Sequence, residues 1–389
     1  MMLLKNASVI SGGKLLNNYN LLVQGGKIAK LTRQSIECDN IIDCTGLYVA
    51  AGYIDIHTHG GYLHDVMEGT PESIEKISKF HLDMGTTTFL PTTLTSSIAS
   101  LTAAIDNVRK YMAVNKYSRI HGLHLEGPFF TPRNAGAQPP QYLLEPDENN
   151  TKFIFDNEDI IKRIAVAPDV KGIAPYVGKF TRHGIQVSGG HDSSVDTEIS
   201  ACIEEGMNSV THFSNCTSMA SRRPLPHKHL GLTEIALLDD RLYVEVICDN
   251  RHIPFPYFKI IYKMKGADKI MLVSDSLSLS GMGNIRNYLG KRGEGYEIEV
   301  KDGVGIITLL NTYAGSVTPI ARMVQILIRD YSIPIEEAVI MGSLNQARLL
   351  KLDDRGDIKE GMLADINIMD NKGEIKYTIF NGKTIKAAV

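Results

Sequence analysis

At 389 residues, 43% of them apolar and 22% charged, the chain is long enough for one large α/β domain with a small satellite, and its composition excludes disorder, collagen and a disulfide miniprotein. Lys+Arg 41 against Asp+Glu 44 leaves a net charge of -3 with no long run of either sign, so no polyanion-binding face announces itself and nucleic acid is not an expected partner. The 5 cysteines never fall in a CxxC pair and no stretch is apolar enough for a signal or a membrane span, so the expectations are reduced thiols, no zinc ribbon, no membrane and a cytoplasmic location.

Residues 1–51 open with short β-like runs at 3–10, 21–23 and 27–31, separated by Gly-Gly and Asn-rich turns. From 52 onward the pattern changes to apolar runs ending in polar residues, at 53–59, 86–91, 120–126, 163–167, 184–191, 209–215, 243–249 and 269–275. Helical periodicity lies between them at 71–82, 97–111, 192–205 and 254–264. Eight βα units predict a TIM-type (β/α)8 barrel over 52–351, with a doubly wound open sheet as the competing arrangement. An inserted hairpin is expected at 296–310 and a closing helix at 335–350. Runs at 364–369, 375–379 and 383–385 resemble the opening meander, so 1–51 plus 352–389 are expected to form a small β-sandwich domain built from both termini.

Barrel enzymes carry their chemistry at the C-terminal ends of the strands, and the unusual residues gather there. The first run ends in His57-Thr58-His59, whose i and i+2 side chains share a face and can converge on one ion. The third ends in Glu126 before Gly-Pro, the fifth in His191-Asp192, the sixth in His212 and the eighth in Asp275. His, Glu and Asp without a thiolate suit zinc, iron or manganese in a hydrolytic site. Asp275 is then the expected acid/base, taking a proton from water and handing it to the leaving group. A catalytically silent scaffold is the poorer reading, because burying six convergent ionisable groups is costly unless a metal pairs them.

The chain resembles the amidohydrolase superfamily and, more narrowly, its N-acetylglucosamine-6-phosphate deacetylase family. Gly-Tyr-Ile-Asp-Ile-His-Thr-His-Gly-Gly (52–61), Gly-Leu-His-Leu-Glu-Gly-Pro-Phe (122–129), Gly-Ala-Gln-Pro-Pro (136–140), Gly-Gly-His-Asp (189–192), Thr-His-Phe-Ser-Asn (211–215) and Val-Ser-Asp (273–275) carry the likeness. It implies a metal on Glu126, His191 and His212, a second metal on His57 and His59 bridged by Glu126, and Asp275 as the catalytic aspartate. It further implies sugar contacts from His252, Ala137-Gln138, Asn215-Cys216 and Tyr313-Ala314-Gly315. The implied activity is metal-dependent deacetylation of a phosphorylated N-acetyl amino sugar by a homodimer using one or two divalent ions per subunit, zinc first. The alternative is an amidohydrolase of the same fold acting on an unphosphorylated N-acetyl sugar or another small amide. Two departures bear on the substrate. The family's phosphate-binding arginine aligns with Lys228, with Arg222 and Arg223 in the same loop as replacements, and its Asn-Ala-Met becomes Asn215-Cys216-Thr217.

His64, His81, His121 and His183 read as surface or packing residues, and Cys216 and Cys248 as inert thiols. His124, on the same face as Glu126, reads equally as a support for the metal site or as core.

Overall fold

The computed structural model describes residues 1–222, 226–283 and 285–386; Arg223 and the last three residues of the expected small domain lie outside them. The eight apolar runs form eight parallel strands: β1 (Tyr53–Thr58), β2 (Thr86–Thr93), β3 (Leu123–Glu126), β4 (Ile161–Val166), β5 (Gln186–Gly189), β6 (Met207–Val210), β7 (Tyr243–Val246) and β8 (Ile270–Leu272). Each is hydrogen-bonded to the next in chain order. Closure comes just past β8, where Thr58 bridges Ser276 and the Asp275 amide donates to the His57 carbonyl at 2.9 Å. This closure excludes the open doubly wound sheet.

Helices α1 (Pro71–Asp83), α2 (Ile98–Met112), α3 (Glu148–Phe155), α4 (Ile173–Arg182), α5 (Asp196–Glu204), α6 (Leu232–Leu238), α7 (Phe255–Lys265) and α8 (Ile320–Arg329) follow the strands in turn. The local sequence explains them. Thr70 caps α1 through the Ser73 amide with Pro71 at the first helical position, and Ile74, Ile77 and Phe80 form its buried stripe. Ser97 caps α2, which buries Leu101, Ala104, Ile105 and Val108 at the spacing of one helix face.

Residues of both termini pair into one eight-stranded sheet, in which Tyr48–Ala51 lies between Met2–Ser11 and Ile366–Met369. The sheet curls back on itself, because Ile28 donates to the Met362 carbonyl and Ala364 to that of Gly26. Leu4, Val9, Leu21, Val49, Ile366 and Ile379 fill the second core so enclosed. Among the described residues no helix is long and apolar enough to cross a membrane.

One expectation is met and extended, and two need correction. The hairpin at 296–310 is the centre of a four-stranded antiparallel sheet running from Arg286–Leu289 to Thr312–Ser316. The closing helix is two, Ile335–Met341 and Leu344–Leu349, broken at Gly342, where a Cβ would stand 3.0 Å from Ile320 and 3.1 Å from Tyr53. Helix α5 begins four residues later than its periodicity suggests. Residues 192–195 stay out of the helix because the Asp192 carboxylate accepts from the amides of Ser194 and Ser218 at 3.0 and 2.8 Å.

Candidate metal centre and its cleft

In-register pairing of Glu126 with Ala165, Val166 with Gly189, and Gly189 with Val210 sets the strand ends level. The residues just beyond them therefore meet over the barrel mouth. His57 lies within β1 and His59 follows it, Glu126 ends β3, His191 and His212 stand two residues past β5 and β6, and Asp275 three past β8. All six side chains are buried. They form two donor groups, His57–His59–Asp275 and Glu126–His191–His212. Glu126 joins the two: Oε1 lies 3.0 Å from His212 Nε2, 3.2 Å from His191 Nε2 and 3.4 Å from His57 Nε2, while Oε2 lies 3.2 Å from His59 Nε2. Asp275 Oδ1 stands 3.3 Å from His59 Nε2 and 3.6 Å from His57 Nε2.

The outer nitrogens show what orients these rings. His59 Nδ1 donates to the Thr92 carbonyl at 3.2 Å, His191 Nδ1 to that of Asn134 at 3.2 Å and His212 Nδ1 to that of Asn215 at 2.9 Å. His57 Nδ1 instead meets a carboxylate, Glu245 Oε2, at 3.2 Å. A proton committed to each Nδ1 leaves four Nε2 lone pairs converging with two carboxylates. His57 Nε2 is buried with no hydrogen-bond partner. Four imidazoles and two carboxylates fit one or two divalent ions of the zinc, iron or manganese type.

The electrostatics agree. Burial opposes charge on His57 and His59, yet Glu126 and Asp275 outweigh it, holding His57 well above its ordinary value and His59 at about 9. Burial also opposes charge on His191, where Cys216 and Glu126 prevail and raise it to about 10. Burial alone would raise the Glu126 and Asp275 carboxyls, but the surrounding histidines hold both below the usual range. The centre thus attracts positive charge, and a bound metal would displace protons from it. The backbone is strained where the donors sit: φ is 48° at His191, 24° at His212 and 44° at Asp275. Such non-glycine conformations cost roughly 1–3 kcal/mol each and cluster at functional sites.

A cleft of about 230 Å³ opens over this centre. Ala137, Gln138, Asn215, Cys216 and His252 line it, together with Tyr313, Ala314 and Gly315 on the last strand of the inserted sheet. Gln138 bridges the Thr95 amide and Glu126 Oε2, at 2.8 and 2.7 Å. His252 is fixed by Asp249 at 2.7 Å and packs against the Tyr313 ring. Lys228 is exposed and does not line the cleft; indeed no lysine or arginine among the described residues does. Leu94, Ile247 and Thr312 line it without a sequence signal that set them apart.

The histidines expected to pack or face solvent are elsewhere: His64 pairs with Glu68, His183 with Glu158, His121 is half-buried, and His81 is buried against Thr58, its pKa lowered to about 3 by burial. His124 lies beneath the centre, its Nε2 accepting from Arg163 at 3.1 Å. Sequence reasoning missed two residues there, Arg163 on β4 and Glu245 on β7, an ion pair with neither side chain exposed. The available signal was a charged residue inside each apolar strand.

The amidohydrolase family model matches residues 48–385. An N-acetylglucosamine-6-phosphate deacetylase of Lysinibacillus sphaericus is 28% identical over 98% of this chain and 97% of its own. An N-acetylgalactosamine-6-phosphate deacetylase of Escherichia coli O157:H7 is 26% identical over 95% of each. The crystal structure of N-acetylglucosamine-6-phosphate deacetylase from Pasteurella multocida superposes with a TM-score of 0.91 at 25% identity, covering 99% of both chains.

Proposed function

The chain belongs to the amidohydrolase family, and we propose that it is a metal-dependent deacetylase that hydrolyses the acetamide of N-acetylglucosamine-6-phosphate to glucosamine-6-phosphate and acetate. The observation that carries this reading is the convergence of four Nε2 atoms and two carboxylates beneath a cleft of hexosamine scale. The named relatives supply the substrate class. Glu126, His191 and His212 would hold one metal, zinc first with iron or manganese as alternatives, and His57 and His59 would hold a second, with Glu126 near enough to serve both. When bound, the metal acts as a Lewis acid on the acetamide carbonyl and lowers the pKa of water.

Asp275 takes the proton from water through its carboxylate and delivers it to the amine nitrogen as the C–N bond breaks. Its position depends on the inserted sheet: the Ser316 amide donates to the Asp275 carbonyl at 2.9 Å, and Gly315, at φ 144°, lies against it. A Cβ at Gly315 would stand 2.8 Å from the Asp275 carbonyl and 3.3 Å from Oδ1. Gly315→Ala should therefore displace Asp275 and lower kcat on the order of 10²-fold when compared at equal metal occupancy. Steady-state kinetics beside metal analysis check this, and an unaltered kcat would show that Asp275 does not rely on that contact. Gln138, Asn215, Cys216, His252 and the 313–315 segment are proposed to hold the sugar. The same reading makes the protein a cytoplasmic homodimer with no nucleic-acid or membrane partner.

Phosphate recognition needs cations near the mouth. Arg251 and Lys301 line a groove of about 480 Å³ that shares Tyr313 with the cleft, and Lys228 occupies the position of the family arginine. The test is a deacetylation assay of metal-reconstituted protein on phosphorylated and unphosphorylated N-acetyl hexosamines, repeated for Lys228→Ala and for Arg251→Ala with Lys301→Ala. Loss of a phosphate contact should raise KM for the phosphorylated sugar, with salt-sensitivity set by screening over about 8 Å, and leave kcat on the unphosphorylated sugar unchanged. If the wild type prefers the unphosphorylated sugar, the phosphate reading fails and the broader amide hydrolase remains.

A further inference from the structure

We propose that Glu245, braced by Arg163, is a positioning residue that fixes His57 as a metal ligand from beneath the site. The inference rests on the metal reading above and extends it to residues that never reach the cleft. Among the four converging histidines, His57 alone is backed by a carboxylate; the other three donate Nδ1–H to main-chain carbonyls. A carboxylate behind a ligating imidazole fixes its tautomer and ring orientation and makes the opposite nitrogen a stronger donor. Glu245 Oε2 also accepts the main-chain amide of His212 at 3.0 Å, so one carboxylate holds the imidazole of a residue in one donor group and the backbone of a residue in the other.

A lone carboxylate would be costly at this depth, and Arg163 answers that cost. Its guanidinium pairs with Glu245 Oε1, reaches Ser209 Oγ at 3.3 Å and donates to His124 Nε2 at 3.1 Å, two residues before Glu126. The pair therefore ties β3, β4, β6 and β7 together directly below the metal donors. Buried ion pairs of this kind are often no more stabilising than apolar side chains of similar size. Stability alone is thus a poor reason for placing one here, whereas support of a ligand is a specific one.

The experiment is metal analysis and chelator competition on the full-length protein, wild type against Glu245→Gln, with far-ultraviolet circular dichroism as the fold control. Glu245→Gln should weaken the metal held with His57 by about 10–100-fold, the usual cost of losing such a partner. The apolar double replacement Glu245→Met with Arg163→Met removes the charge pair without leaving a buried charge unpaired, and it should show the same weakening if Glu245→Gln fails to fold. Glu245→Asp should recover part of the affinity. Wild-type chelator resistance in a folded variant lacking the carboxylate overturns the proposal. A wild-type protein that takes up no metal overturns instead the metal reading on which it depends.

Discussion

Asp275→Asn should lose about 10²- to 10⁴-fold in kcat with a much smaller change in KM, because a positioned acid/base contributes on that order and acts only in the chemical step. The substitution is nearly isosteric, and asparagine accepts the left-handed backbone, φ 44°, that this position requires. The fold should therefore survive. An amide cannot take up a proton from water, so the chemistry is removed while the shape remains. Asp275 also lies 3.3 Å from His59 Nε2 and belongs to one donor group, so metal content must be measured beside the kinetics. A kcat deficit at full metal occupancy assigns the loss to proton transfer, and near wild-type kcat refutes the role.

The barrel was legible because the apolar runs end at polar signals, and at five of the eight strands those signals are themselves the donors that the strand register sets level. His57 and His59 could be read as a pair from their spacing alone. The supports for these donors were not legible. Thr92, Asn134 and Asn215 act through main-chain carbonyls, which every residue owns, so only the folded chain reveals which three face an imidazole. Arg163 and Glu245 left a trace, a charge inside an apolar strand, yet 82 positions separate them and only barrel closure pairs them. The late start of α5 was hidden for a related reason. Its periodicity extends back to Asp192, but the carboxylate there is taken by the amides of Ser194 and Ser218, and those bonds hold the segment open beside His191. At the break in the closing helix a Cβ on Gly342 would stand 3.0 Å from Ile320 and 3.1 Å from Tyr53, neighbours that no window of local sequence contains.

Removing Glu126 should have the most general effect on the centre, since its two oxygens face all four converging imidazoles within 3.0 to 3.4 Å. Without that carboxylate, the four converging Nε2 atoms keep Asp275 as the one acid on their own side, and the site loses both a donor and negative charge that attracts a divalent cation. Glu126→Ala is expected to hold no metal after dialysis and to show no hydrolysis above background. His191→Ala differs in kind. It disables the Glu126–His191–His212 group but leaves His57, His59 and Asp275 with their supports intact, so metal bound there should persist while hydrolysis is lost. Elemental analysis of both variants, beside circular dichroism to establish that each is folded, separates the two outcomes. Complete loss of metal from His191→Ala would mean that the two groups bind as one unit. Full metal content and full activity in both variants would remove these residues from the metal centre altogether.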